Sequence, residues 1–114
     1  MFKIAVTHEL WHYYIRECNF RSGERWEEIV KFYKDNEEVI LDVFSFINVK
    51  VPKTNKKGET YKENVYSEKQ RPEEFIVEAI AYLEAGCLNN EREDTEYIKM
   101  VNFIQEIYNL LRGR

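Results

Sequence analysis

The sequence of 114 residues is poor in the residues that force turns or cross-link a chain. It contains four glycines, two prolines and two cysteines. A sandwich of many short strands needs more turn residues than this, whereas long helices do not. Cys18 and Cys87 are too few for a disulfide framework. We therefore expect reduced thiols and a cytoplasmic protein.

Long hydrophobic runs and an excess of positive charge are also absent. No stretch reaches the roughly 18 apolar residues of a membrane-spanning helix, and the N-terminal residues lack the apolar region and cleavage site of a signal peptide. Lysine and arginine number 17 against 21 acidic residues, a formal net charge of −4. A nucleic-acid-binding domain typically shows a basic excess. We expect neither a membrane nor a nucleic acid as partner.

What the sequence does contain is enough apolar material for one folded domain over residues 1–114. Apolar residues make up 44% and aromatic residues 15%, which excludes a disordered tail. Apolar positions recur at three- and four-residue steps in several segments, as on one face of a helix. The predicted helices span residues 3 to about 18, 24–36, 37 to about 46, 72–86 and 95–111.

Three of these helices have well-defined signals. In the first, Ile4, His8, Trp11 and Ile15 share one face. Pro72 and Gly86 mark the start and the end of the fourth helix. The apolar stripe of the last helix is predicted to comprise Ile98, Val101, Ile104, Ile107 and Leu111.

The middle of the chain is harder to assign. After the helix that ends near residue 46, we expect an extended piece to residue 52 and a basic, polar loop over 53–64 that turns at Gly58. Alternating residues allow at most a small β-hairpin within 43–66. The predicted fold class is therefore mainly α, with four or five helices and at most that hairpin.

The first helix carries the motif His8-Glu9-Leu10-Trp11-His12, which is HExxH. Residues i and i+4 lie one turn apart on the same helical face. Two imidazoles in this arrangement can bind one zinc ion. The glutamate that follows the first histidine can take a proton from water, whose pKa zinc lowers to about 7. The spacing therefore predicts zinc, with Glu9 as general base.

A third protein ligand is needed for a catalytic zinc site, and His8 and His12 are the only histidines. The best candidates are Glu74 and Glu78, one turn apart on the fourth helix. Such a pair can supply one ligand and one carboxylate that orients a histidine, but the spacing does not decide which is which. Cys18 and Cys87 are weaker candidates. A purely structural zinc site would need a fourth protein ligand, for which Cys18 is the nearest thiol.

The order of these segments resembles the catalytic domain of anthrax lethal factor and its bacterial and phage relatives, which are gluzincin metallopeptidases. The matching pieces are HELWH (8–12), the helix 24–36, Tyr66, EEFIVEA (73–79) and the helix 96–111. The resemblance implies a zincin-like helical domain. It also implies that Glu74 is the third zinc ligand and that the carboxylate of Glu78 orients a histidine ligand. Tyr66 would be the phenol that stabilises the oxyanion, and Tyr61 is the alternative for that role.

The function that the resemblance implies is zinc-dependent hydrolysis of a peptide or protein substrate. The alternative is a small helical interaction module, phage-derived, that keeps zincin residues without catalysis. Zincins carry a sheet before the active-site helix that binds substrate by β-augmentation. Seven residues precede His8, too few for such a sheet, which leaves three alternatives: a minimal enzyme, a helical remnant, or half of an assembly whose partner protein supplies the sheet. We expect the isolated chain to bind zinc and to show weak or no activity on unstructured peptides.

Overall fold

The computed structural model describes residues 2–17 and 20–113, without the side chains of residues 2–5, 22 and 24. Five α-helices and one two-stranded sheet make up this part of the chain: α1 (Phe2–Glu17), α2 (Glu24–Asp35), α3 (Glu37–Val43), β1 (Lys50–Thr54), β2 (Thr60–Asn64), α4 (Arg71–Ala85) and α5 (Thr95–Arg112). The predicted mainly-α class with one small hairpin is confirmed. None of the described helices is both long and apolar enough to cross a bilayer.

Helix α4 is the central element of the core. Its residues 71–77 and 79–81 are buried, as expected for a helix that is surrounded by other elements. It packs against α1, α2 and α5. The predicted terminators are confirmed: Pro72 lies in the first turn, and Gly86 ends the helix with φ +69°, a conformation that favours glycine. The core therefore fixes α4 along its whole length.

Helix α1 lies along α4 and presents one face to it. Ile15 is fully buried and Trp11 is half-buried on this face, as predicted. The opposite face carries Val6, Leu10 and Tyr13, which are exposed. The predicted inward position of Ile4 lies outside the described side chains. The burial of this face places the motif histidines against α4.

The middle of the chain differs from the sequence prediction. Helix α3 ends at Val43 rather than near residue 46, and a 3₁₀ turn (Ser45–Asn48) follows it. The predicted loop 53–64 is wrong, because β2 occupies residues 60–64 and pairs antiparallel with β1, with Lys50 opposite Asn64 and Thr54 opposite Thr60. Both strands are almost entirely solvent-exposed, so no hydrophobic alternation marks them.

The predicted stripe of α5 is wrong at one position. Ile104, Ile107 and Leu111 are fully buried, but Ile98 is 44% exposed. Tyr97 and Met100 fill the core in its place. Two successive steps of three residues, from position 98 to 104, drift around the helix, whereas Tyr97, Met100 and Ile104 are separated by steps of three and four and stay on the buried face.

Replacing Phe75 by alanine should lower the free energy of unfolding by about 3–5 kcal/mol, the usual cost of deleting a buried aromatic ring. Phe75 is fully buried and contacts Phe32, Tyr33 and Phe44. Urea denaturation measures the change, and Ile98→Ala, at an exposed position, should alter stability by less than about 0.5 kcal/mol. Equal effects of the two substitutions would contradict this account of the core.

Candidate metal centre

The centre lies between α1 and α4, which pack against each other. His8 faces Glu74 and Glu78, whereas His12, one turn further along α1, faces Glu73 and Glu74. Side chains four residues apart on one helix lie one above the other, so both histidines reach α4, and Glu74 faces both of them. The packing of α1 on α4 thus brings HExxH and the acidic turn of α4 together.

Three side chains converge through their metal-binding atoms. The Nε2 atoms of His8 and His12 are 2.9 Å apart. Each also faces one oxygen of Glu74, at 3.0 Å from His8 and 3.1 Å from His12. Ligand atoms about 2.0–2.1 Å from a tetrahedral zinc ion are separated by about 3.3 Å. The observed separations are close to this value, so a zinc ion fits among the three groups with small shifts.

The other nitrogen of each imidazole is held by a different carboxylate. His8 Nδ1 lies 3.1 Å from Glu78 Oε1, and His12 Nδ1 lies 2.5 Å from Glu73 Oε2. Arg21 Nε donates to the second oxygen of Glu73. An ionised carboxylate can only accept hydrogen bonds, so both Nδ1 atoms carry hydrogen. A neutral ring in this state presents the lone pair of Nε2 to the centre, which is the form that binds a metal.

Glu73 and Arg21 belong to this network, and the sequence analysis did not single them out. Glu73 is the hydrogen-bond partner of His12. Its contact depends on how two helices pack together, which the periodicity of either helix does not specify. Arg21 lies in a 3₁₀ turn (Phe20–Ser22), where no periodicity indicates which way it points.

Electrostatics bind these groups into one network. Burial lowers the pKa of His8, but hydrogen bonds to Glu74 and Glu78 outweigh it and raise the pKa from 6.5 to about 9. Hydrogen bonds to Glu73 and Glu74 raise the pKa of His12 to about 9 as well. Burial raises the pKa of Glu73 and Glu74, yet their imidazole partners, and Arg21 for Glu73, lower it to about 2. The centre therefore strongly favours positive charge, carried either by protons on the two imidazoles or by a metal ion.

The centre opens into a cleft of about 780 Å³. Glu9 is exposed at the cleft, and one of its carboxylate oxygens lies within 4.8 Å of a nitrogen of each histidine. Tyr66 is half-buried in the same cleft and packs edge-on against Phe46. Burial, together with the charges of nearby glutamates, raises the pKa of the Tyr66 phenol. The structure thus brings Glu9 and Tyr66 to the predicted metal site.

Two other candidates, Tyr61 and Cys87, are not among the residues that line the cleft. Tyr61 lies in β2 and is 47% exposed, and it does not line the cleft as Tyr66 does. Cys87 is exposed beyond the end of α4 and contacts the carbonyl of Ala85. Cys18 lies outside the described residues. The geometry therefore favours Tyr66 over Tyr61 and does not bring the thiol of Cys87 to the centre.

Comparisons of the chain with protein-family models, curated proteins and solved structures find no match. The resemblance to lethal-factor-type gluzincins therefore stays a prediction from the motifs. Function is inferred below from the geometry of this centre.

After metal is removed with a chelator, thermal stability should be highest between pH 4.5 and pH 6.5. Because the pKa values of His8 and His12 are raised, their protonated rings stabilise the folded state fully below pH 6.5. This contribution is lost as the pH rises through about 9. Because the pKa values of Glu73 and Glu74 are lowered, their ionised carboxylates stabilise the folded state fully above pH 4.5. This contribution is lost as the pH falls through about 2.

Melting temperatures between pH 3 and pH 10 measure this profile. The control is the His8→Gln, His12→Gln double variant, whose melting temperature should change much less between pH 6.5 and pH 9. A wild-type melting temperature that rises over the same interval would contradict the assignment of charge to the two imidazoles.

Proposed function

We propose that this chain is a zinc-dependent metallopeptidase. One observation carries the proposal: two imidazole Nε2 atoms and both oxygens of Glu74 converge within 3.1 Å while carboxylates hold the opposite ring nitrogens. Electron-pair donors this close to one another need positive charge among them. Protons on the two imidazoles supply it in the metal-free centre, and a zinc ion can take their place. At metal-binding histidines, the ring nitrogen that does not bind the metal also usually donates a hydrogen bond to a group such as a carboxylate, as it does here.

The donor set favours zinc in a catalytic rather than a structural role. Imidazole nitrogen and carboxylate oxygen are common zinc ligands, and catalytic sites use three protein ligands with one open position. His8, His12 and Glu74 would hold the ion, and the cleft lies on their open side. A structural site requires a fourth protein ligand, and within residues 2–17 and 20–113 no cysteine lines the cleft.

When bound, zinc supplies Lewis-acid chemistry that polarises a peptide carbonyl and makes a water molecule more acidic. Glu9, at the mouth of the centre, takes a proton from that water and delivers it to the leaving amine. The raised pKa of the Tyr66 phenol keeps its hydrogen in place at neutral pH. The phenol donates a hydrogen bond to the developing oxyanion. Glu73 and Glu78 hold the two imidazoles in the orientation that this chemistry requires.

Zinc binding tests the proposal most simply. We expect about one equivalent of zinc per chain by elemental analysis, with loss of binding in His8→Ala, His12→Ala and Glu74→Ala. Glu78→Ala and Glu73→Ala should weaken binding by about 10–100-fold, as is typical when the outer partner of a histidine ligand is removed. Glu9→Gln is the matched control and should keep the metal. Stronger loss in Glu78→Ala than in Glu74→Ala would show that Glu78 is the ligand.

Hydrolysis is tested with zinc-loaded protein and a diverse peptide library, with products read by mass spectrometry. Glu9→Gln should abolish every product. Tyr66→Phe should lower kcat by about 10²–10³-fold with little change in KM, because it removes one oxyanion donor. Tyr61→Phe is the matched control, since the same hydroxyl is removed from an exposed tyrosine outside the cleft. Products that persist in Glu9→Gln would contradict the proposed role of Glu9.

A further inference from the structure

A second groove continues from the cleft of the metal centre. It has a volume of about 540 Å³ and runs between the hairpin and the segment before α4. Tyr66 and Gln70 line both the cleft and this groove. The cleft and the groove therefore meet at Tyr66 and Gln70, next to the hairpin.

The hairpin turns a distinct face toward this groove. Directly paired residues of antiparallel strands project on the same side, so the register places Val51 with Glu63 and Lys53 with Tyr61. Val51, Lys53, Glu63 and Val65 line the groove. Val65 is 46% exposed and Tyr61 is 47% exposed. The groove face thus presents apolar area with Lys53 and Glu63 along it, while Lys50, Pro52 and Lys62 alternate onto the other face.

The hairpin is ordered by its own turn although both strands face solvent. The side chain of Asn55 accepts hydrogen bonds from the backbone N–H groups of Lys57 and Glu59. Gly58 has φ +81° and nothing within 4 Å of its missing side chain, so glycine is required there by conformation rather than by space. These contacts fix the register, and with it the face that lines the groove.

The charge of the hairpin is opposite to that of the whole chain. Residues 50–64 contain five lysines and two glutamates, in a protein whose formal net charge is −4. All five lysines are exposed. Within the described residues, the ion pairs do not involve any of these lysines or Lys69, which lines the cleft. Unpaired positive charge therefore extends from the cleft to the tip of the hairpin.

We propose that this groove, defined by Val51, Lys53, Glu63 and Val65, docks an extended, acidic segment of the polypeptide substrate on one side of the scissile bond. The inference rests on the proposed peptidase function and adds its substrate class. Apolar area on the groove face binds the apolar side chains of the segment. Lys53, within the net positive field of a hairpin that has five lysines and two glutamates, selects acidic residues among them. A five-residue strand is about 17 Å long, so the docked segment is about five residues long.

Fluorescence anisotropy with two labelled 14-residue peptides tests the docking. The peptides share an apolar centre and differ in one flanking block, three glutamates in one and three lysines in the other. Glu9→Gln protein is used with and without zinc so that the peptides are not cleaved. We expect the acidic peptide to bind at least about fivefold more tightly, the factor that corresponds to about 1 kcal/mol for exposed charge pairs.

Two charge reversals form the matched pair. Lys53→Glu lies on the groove face and should abolish the preference for the acidic peptide, whereas Lys50→Glu makes the same change of net charge on the opposite face and should preserve it. Val65→Ser should weaken both peptides about equally. If Lys50→Glu and Lys53→Glu have equal effects, or if the two peptides bind alike, the docking proposal is overturned while the metal site stands.

Two further measurements distinguish loss of the metal site and nucleic-acid binding from the proposed peptide docking. Zinc binding of each variant is measured in parallel, so loss of the metal site registers apart from loss of peptide docking. An oligothymidylate of similar length serves as competitor. If it displaces the acidic peptide at a lower concentration than the unlabelled peptide does, the groove is a nucleic-acid site and the proposal is overturned. With a cleaved substrate, Lys53→Glu should raise KM and leave kcat unchanged.

Discussion

The pairing of two imidazoles with three glutamates across the α1–α4 interface is the interaction on which the rest of the structure depends. His8, Glu73 and Glu74 are each at most 9% exposed. Charged groups lose several kcal/mol of hydration when they are buried. That loss is tolerable only where each group has a partner with good geometry, and here every ring nitrogen faces a carboxylate oxygen. Any displacement of α1 along α4 would leave buried charges unpaired.

The same interaction connects the core to the proposed chemistry. Glu73 and Glu74 directly precede the fully buried Phe75, in a helix surrounded by other elements. Rigid elements position functional groups more accurately than loops do. Glu9 and Tyr66, by contrast, come from the exposed face of α1 and from the segment after the hairpin. The ligands thus lie on the most constrained part of the molecule, and the groups that meet substrate lie at its edge.

The sequence predicted the elements that follow from periodicity and from spacing. HExxH fixed His8 and His12 on one helical face, and the acidic turn of α4 supplied Glu74 and Glu78, because both inferences need only the geometry of a single helix. Glu73 and Arg21 were missed, since their contacts depend on how α1 packs against α4 and on a short 3₁₀ turn. The hairpin was partly missed because its strands are exposed on both faces and are ordered by Asn55 and Gly58 rather than by burial. Ile98 was assigned to the core because repeated steps of three residues were taken as one face, although such steps drift around the helix axis.

X-ray absorption at the zinc edge of the loaded protein tests the central claim most directly, because it reports the ligand atoms themselves. The account predicts two imidazole ligands, with nitrogen and oxygen scatterers at about 2.0–2.1 Å and no sulfur. His12→Ala should remove one imidazole from the spectrum or the metal altogether. A sulfur scatterer at about 2.3 Å, or a spectrum without imidazole, would contradict the assignment of His8, His12 and Glu74 as the metal ligands.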